Sequence, residues 1–355
     1  MDSFDHYVAA DFLKKWTSGS VNIVAGRNGN GGRTDGRVTI DYQMKWTHGA
    51  AFKVTLNSDL LRMYNNGAGP AVYAKVRSDG LVAGYVYDTN LGTGGAHWDL
   101  VGLSSVVLHD DQWNFIEQQA TFSTYSHGGS FDWGAGDYLA TNSLKIWING
   151  SLEISWSGTK MGGITVVTGL TEGCDQLGPS TSNLTHIVDD YYINDGNGSY
   201  MTDNVGDMLI EVIRPDGTGD TTTWTASYGT STDTLNWQQA DDINPDGDTS
   251  FIFSTSTGDI DVYNFEDVGT GLGDILAIQH NLITRKSGPG TRAVQLVMRM
   301  LGTDGTGTNY LSAVDNYLNE SYIDYRMNYD YNPYTTATFV ESDLNNGQWG
   351  EDMTV

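Results

Sequence analysis

Three groups of residues in this sequence have types and spacings that can do chemistry. The first is aromatic. Residues 124–141, TYSHGGSFDWGAGDYLAT, hold Tyr125, His127, Trp133 and Tyr138, and residues 92–100, GTGGAHWDL, hold Trp98. Aromatic faces stack on sugar C–H groups while nearby polar side chains meet hydroxyls, so both stretches read as glycan-binding loops. The competing reading packs the same rings on the scaffold or on a neighbouring subunit. The second group is acidic: Asp-Gly clusters at 195–197, 216–220, 246–248 and 304–305. Ca2+ takes six to eight oxygens, which such loops can supply, but tight turns require the same letters. The third group is basic. VAGRNGNGGRTDGR, residues 24–37, carries Arg27, Arg33 and Arg37. It precedes a strand pattern, so no helix N-terminus would face a phosphate there. In an acidic chain, it reads as a docking point for an acidic partner surface.

Other chemistry lacks its residues. A glycosidase needs two carboxylates at a set separation. Glu117 and Glu153 stand alone in their segments. The seven histidines are scattered without metal-ligand spacing, and Walker, GxSxG and HExxH patterns are missing. The expectation is a protein that is not an enzyme and has no cofactor beyond one possible Ca2+. Cys174 is the sole cysteine, which leaves no intramolecular disulfide and no cysteine-based zinc site.

The elements that must position these groups are strands. Gly (44) far outnumbers Pro (6), and Tyr and Trp are common, which favours strands and tight turns. Period-two patterns predict strands over 37–46, 50–57, 112–123, 206–215, 249–256, 261–267 and 322–330. Residues 71–88 predict two strands about a turn at 78–80. Residues 142–158, NSLKIWINGSLEISWSG, predict a hairpin with Asn149-Gly150 at its tip. Residues 274–301 predict two long strands about 286–290. Residues 337–346 predict a short helix, and the last eight residues a final strand.

The net charge is −26, which disfavours nucleic acid and anionic membrane surfaces as partners. No apolar run reaches membrane-span length, so no membrane insertion is expected, and no secretion-signal pattern opens the sequence. Residues 1–195 hold 12 Lys/Arg against 20 Asp/Glu, net −8, and residues 196–355 hold 6 against 24, net −18. That change places a domain boundary at 195/196. The reading is all-β: two antiparallel β-sandwich (jelly-roll) domains, 1–195 and an acidic 196–355.

Three segments carry a family resemblance: QWNFIEQQATFS at 112–123, KIWINGSLEISWSG at 145–158 and HIVDDYYINDGNG at 186–198. They resemble the laminin-G-like or concanavalin-A-like jelly roll, whose pattern is a Trp opening one strand, an Asn/Asp-Gly hairpin, and a closing strand with paired Asp. Trp113, Asn149, Gly150, Asp189 and Asp190 match it. The resemblance covers about residues 3–195 and makes this domain the favoured carrier of a metal, with Asp189, Asp195 and Asn197 as ligands. Residues 4–7, 27–33, 206–215 and 331–350 also resemble a group of tailed-phage virion proteins. That likeness implies a virion location, other virion proteins as partners, and homo-oligomers, trimers above all. Two roles follow: a tail-fibre or tail-tip component binding host-surface glycan, or a capsid decoration or head-fibre protein acting by protein contact. A surface-polysaccharide hydrolase is the third reading.

Overall fold

The computed structural model describes residues 21–27, 30–34, 38–43, 45–65, 69–88, 97–121, 142–158, 174–179, 186–196, 203–227, 235–242, 245–271, 273–301, 307–313 and 315–355. Packing divides the chain into two units between Ile210 and Glu211.

The first unit contains β1 (Val21–Ala25), β2 (Asn30–Thr34), β3 (Val38–Gln43), β4 (Lys45–Lys53), β5 (Ser58–Asn65), β6 (Gly69–Val76), β7 (Leu81–Asp88), β8 (His97–Val107), β9 (Trp113–Thr121), β10 (Asn142–Ile148), β11 (Ser151–Gly158), β12 (Cys174–Pro179) and β13 (Ile187–Asn194). They form a seven-stranded sheet, β1-β2-β13-β4-β9-β10-β11, and a six-stranded sheet, β3-β12-β5-β6-β7-β8. Every pairing is antiparallel. The inner faces interdigitate into one core: Phe52, Ile116, Leu144 and Ile146 from the first sheet meet Leu61, Met63, Val72 and Val86 from the second. Full burial of each such side chain contributes about 1.5–3 kcal/mol. This is a β-sandwich, as its period-two patterning requires.

The Asn149-Gly150 tip forms as expected. Both residues have positive φ, 49° and 79°, the geometry of the right-twisted two-residue hairpin. The Asn149 side chain also accepts the Phe115 N–H at 2.8 Å, which stitches the tip to β9. The turn at 78–80 between β6 and β7 likewise forms, with Gly80 at φ 82°.

Two expectations fail at the start of the sandwich. Residues 37–46 are not one strand: β3 joins the six-stranded sheet and β4 the seven-stranded one. Instead β4 runs on through Gly49 to Lys53, taking in the first part of the segment expected at 50–57. It is buried on both faces, so no alternation marks it. One face lies in the core. The other is covered by residues 203–210, which pass over the sheet without strand pairing although 206–215 reads as a strand. These residues make the first unit longer than 1–195. They are held by side chains: Glu117 Oε1 accepts from the N–H groups of Val205 (2.8 Å) and Gly206 (3.0 Å) and from the Tyr192 hydroxyl (2.6 Å). A strap bonded to carboxylates leaves no ladder for a strand.

The second unit contains β14 (Pro215–Thr222), β15 (Thr225–Ser227), β16 (Phe251–Phe253), β17 (Ile260–Phe265), β18 (Ile278–Thr284), β19 (Ala293–Leu301), β20 (Gly307–Leu311), β21 (Asn316–Tyr317), β22 (Ile323–Tyr329), α1 (Glu341–Asn346) and β23 (Gln348–Met353). Its main sheet runs β14-β17-β23-β19-β20, with β21 also on β19. The β18–β22 ribbon supplies Ile278, Met327 and Tyr329 to a core with Met298, Met300 and Trp349. β18 and β19 both form, but each pairs elsewhere: β18 with β22, and β19 with β23 and β20. The helix is shorter than expected. Ala337 and Phe339 are used in β-bridges to Asn332 and Ile275, so helical bonding begins only at Glu341.

Gly49 sits where the strap, β9 and β13 converge. A Cβ there would lie 2.6 Å from Tyr192 Cε1 and 2.8 Å from Glu117 Cγ. At Gly150 a Cβ meets nothing within 4 Å, so only its φ penalises substitution. In chemical denaturation, Gly49→Ala is expected to cost the first unit about 2 kcal/mol or more, and Gly150→Ala about 1 kcal/mol.

Candidate functional site

The outward face of the six-stranded sheet carries the functional candidate. On β6, Val72, Ala74 and Val76 point inward, so Tyr73 points outward. On β7, Val82 and Val86 point inward, so Tyr85 and Tyr87 point outward. Register places Tyr73 opposite Tyr85 and Tyr87 opposite Trp98 of β8. The rings meet: Tyr73 and Tyr85 stack at 4.5 Å and 6°, Trp98 stands edge-on to Tyr73 at 4.5 Å, and Tyr87 is 5.0 Å from Trp98. All four are half-buried. Arg62 of β5 lies 5.7 Å from the Tyr73 ring centre and forms an ion pair with Asp59.

Electrostatics mark the cluster. Burial, with the neighbouring Tyr85 and Asp59, pushes the Tyr73 hydroxyl up to about 12. The phenol therefore stays a neutral donor and acceptor. The hydroxyls of Tyr73, Tyr85 and Tyr87 and the Trp98 indole N–H make no hydrogen bond to any described residue. Ring against ring fixes the side chains, while their polar tips keep their bonding capacity.

Of the expected sites, only Trp98 falls in this cluster. It lies on a strand, not in the loop that 92–100 suggested: β8 begins at His97. Tyr125, His127, Trp133 and Tyr138 lie outside the described residues. Tyr73, Tyr85 and Tyr87 were missed as site residues, although AVYAKV and GYVYD place aromatics at outward parity beside a hairpin turn.

The second expected site is a carboxylate knot. Asp189 Oδ2 accepts the Arg27 N–H at 2.8 Å, and its Oδ1 accepts the Asp190 N–H at 2.9 Å. Asp190 has φ 52°, and its Oδ1 accepts the Ile210 N–H at 2.8 Å. The Arg27 guanidinium lies 3.7 Å from Asp190 Oδ2 and donates to Asp207 Oδ1 at 2.6 Å. These oxygens hold the strap and the arginine. Among the described residues, no group of three or more His, Cys, Asp or Glu is placed to hold a metal ion. Asp195 follows β13, and Asn197 lies outside the described residues. Of the docking arginines, Arg27 is bound within its own unit, Arg33 is exposed on β2, and Arg37 is not described. Glu153 accepts from the Ser105 N–H (2.8 Å) and hydroxyl (2.7 Å), which hold its carboxyl below the usual range.

No family model and no curated protein matches the chain. Among solved structures, the botulinum neurotoxin type G receptor binding domain matches at 11% identity and TM-score 0.22, over 49% of this chain and 42% of that one. A tail fibre protein from an E. coli phage matches at 13% and 0.22, over 48% and 16%. An alginate lyase from Alteromonas matches at 11% and 0.25, over 50% and 87%. The sheets and register above, not these scores, define the fold.

The second unit buries an acid pair. The Tyr263 hydroxyl lies 2.9 Å from Glu351 Oε1 and 3.1 Å from Asp261 Oδ2. Asp261 also accepts from the Trp224 N–H at 2.9 Å and the Asn236 amide at 2.5 Å. Burial pushes Glu351 up to about 8. A raised carboxyl in a cleft would suggest acid catalysis, but Asp261 is 0% and Glu351 2% exposed. Here it acts on stability. The folded state keeps a proton that the unfolded chain releases above its ordinary value of 4.5. The second unit is thus expected to lose stability as pH rises from about 4.5 to about 8, and to level off above. Burial pulls His280 down to about 4, which adds an opposite loss as pH falls below 6.5. In thermal unfolding, Glu351→Gln should abolish the first slope and stabilise the second unit at pH 8 by on the order of a few kcal/mol.

Proposed function

We propose that this chain is a non-enzymatic, glycan-binding virion component and that the Tyr73–Tyr85–Tyr87–Trp98 face meets the sugar. One observation carries the reading: four aromatic side chains from three adjacent strands form one cluster on an outward sheet face, with polar tips that no described residue engages. Such a surface offers apolar ring edges to sugar C–H groups and phenol and indole groups to hydroxyls. Rigid strands present it, so little ordering is lost on binding. The net charge of −26, with Asp59 beside Tyr73, favours a neutral glycan over an acidic one. The β-sandwich of the first unit is compatible with this reading, its sequence resemblance to laminin-G-like domains supports it, and the tailed-phage resemblance suggests the setting, a tail fibre or tail tip facing a host surface.

Glycan-array screening followed by titration calorimetry tests the site. Trp98→Ala and Tyr85→Ala should each weaken binding by about tenfold or more. Tyr87→Phe, which keeps the ring and removes one hydroxyl, should weaken it less and unfold like the parent. The bound oligosaccharide should be recovered uncleaved. Binding that survives both alanine changes would remove the site from this face; recovery of shortened product would make the protein an enzyme.

A further inference from the structure

The interior of the first unit holds a polar step in an otherwise aliphatic row. Between the core residues Ile116 and Ala120, inward parity on β9 falls on Gln118. Between Trp46 and Ala50, inward parity on β4 falls on His48. Register sets His48 opposite Gln118, Gln118 opposite Ile146, and Ile146 opposite Ile154. The facing sheet answers this row with small residues. Gly102 of β8 lies against Ile154, and Gly84 of β7 lies against Ile146. Gly102 pairs with Gly84, and Gly84 pairs with Ala74 of β6. The two rows run in the same order, so Ala74 falls opposite Gln118. Isoleucine side chains fill the room over the glycines. Over Ala74 stands an amide.

Gln118 and His48 are both 0% exposed. Gln118 Oε1 and Nε2 and His48 Nε2 make no hydrogen bond to any described residue. His48 Nδ1 lies 3.2 Å from the Tyr191 hydroxyl, so Nε2 is the ring atom left to bond elsewhere. Burial pulls His48 down to about 3, which keeps the ring neutral. Buried polar groups in folded proteins are almost always paired, with protein or with ordered water.

We infer that this step is a water-binding site between the sheets, in which water bridges the Gln118 amide to His48 Nε2. The chemistry selects the ligand. A neutral imidazole and an amide supply no counter-charge, so an ion buried here would be uncompensated. An organic ligand would have to displace Ile116, Ala120 or Ile146, each 0% exposed. Water both gives and takes hydrogen bonds, and it is small enough for the depth that an alanine methyl leaves. A buried water makes about three hydrogen bonds to groups that the protein leaves unpaired, which matches the two Gln118 atoms and His48 Nε2. On the inner face it would tie β9 to β4, as Glu117 on the outer face ties β9 to the strap.

High-resolution diffraction from crystals of the full chain tests this first. A water peak within about 3 Å of the Gln118 amide and of His48 Nε2 is expected. An amide bonded straight to His48, or density too large for water, overturns the inference. In solution, oxygen-17 relaxation dispersion counts long-lived internal waters. Gln118→Met keeps the side-chain length and removes both polar atoms. It should lower that count by about one and lower the thermal midpoint, because His48 loses its bridge. An unchanged count with a raised midpoint would mean that the amide was unpaired and merely costly, and also overturns the inference. If Gln118→Met does not fold, the diffraction map of the parent decides alone.

Discussion

The first unit turns on one buried carboxylate. Glu117 projects from the middle of β9, on the face away from the core, and is fully buried. Its Oε1 takes the Tyr192 hydroxyl and two backbone N–H groups of the strap. Removing such an acceptor would leave several buried donors without a partner, at about 1–3 kcal/mol each. Through this atom β9, β13 and residues 203–210 are fixed to one another. Its surroundings are made for it: Gly49 leaves the space, Phe115 stacks on Tyr192 at 6.3 Å, and Gln119 beside it reaches Thr47 and Asp203. Burial on both faces marks β13, β4 and β9, the centre of the seven-stranded sheet, and the six-stranded sheet packs against its inner side.

That division leaves the outward face of the six-stranded sheet to carry the aromatic cluster. The rings are not spare hydrophobic residues of the core, since the core is filled by the opposite parity of the same strands. Mutual stacking orders them at little entropic cost, and their hydroxyls keep their bonding capacity. The two sheets thus manage their outer faces in opposite ways: one is sealed by a strap bonded to carboxylates, and the other keeps aromatic side chains toward solvent.

The second unit handles acidity differently. Residues 211–355 hold 6 Lys/Arg against 22 Asp/Glu, net −16, yet Asp261 and Glu351 lie in the interior and share the Tyr263 hydroxyl. A raised Glu351 lets the pair carry one charge in place of two, which burial of carboxylates demands. The cost is a stability that depends on pH near neutrality.

The sequence by itself determined the fold class, the Asn149-Gly150 hairpin, the turn at 78–80, the place of strands such as β6, β7, β9 and β22, and the brief helix before a final strand. Those features are local: turn chemistry and period-two patterning need only neighbours in the chain. It did not determine that β3 and β4 part into different sheets, that residues 206–210 lie as a strap, or that β18 and β19 take other partners. Those outcomes depend on side chains remote in sequence. Glu117 reaches Val205 and Gly206, and Asp190 reaches Ile210, so a segment with strand-like composition gives its N–H groups to carboxylates rather than to a ladder. The aromatic face follows the same rule. Trp98 could be picked from the sequence for its residue type, but its place beside Tyr73, Tyr85 and Tyr87 comes from the register of three strands. Only the tertiary structure sets that register, because packing of the inner parity decides which residues stand opposite one another on the outer.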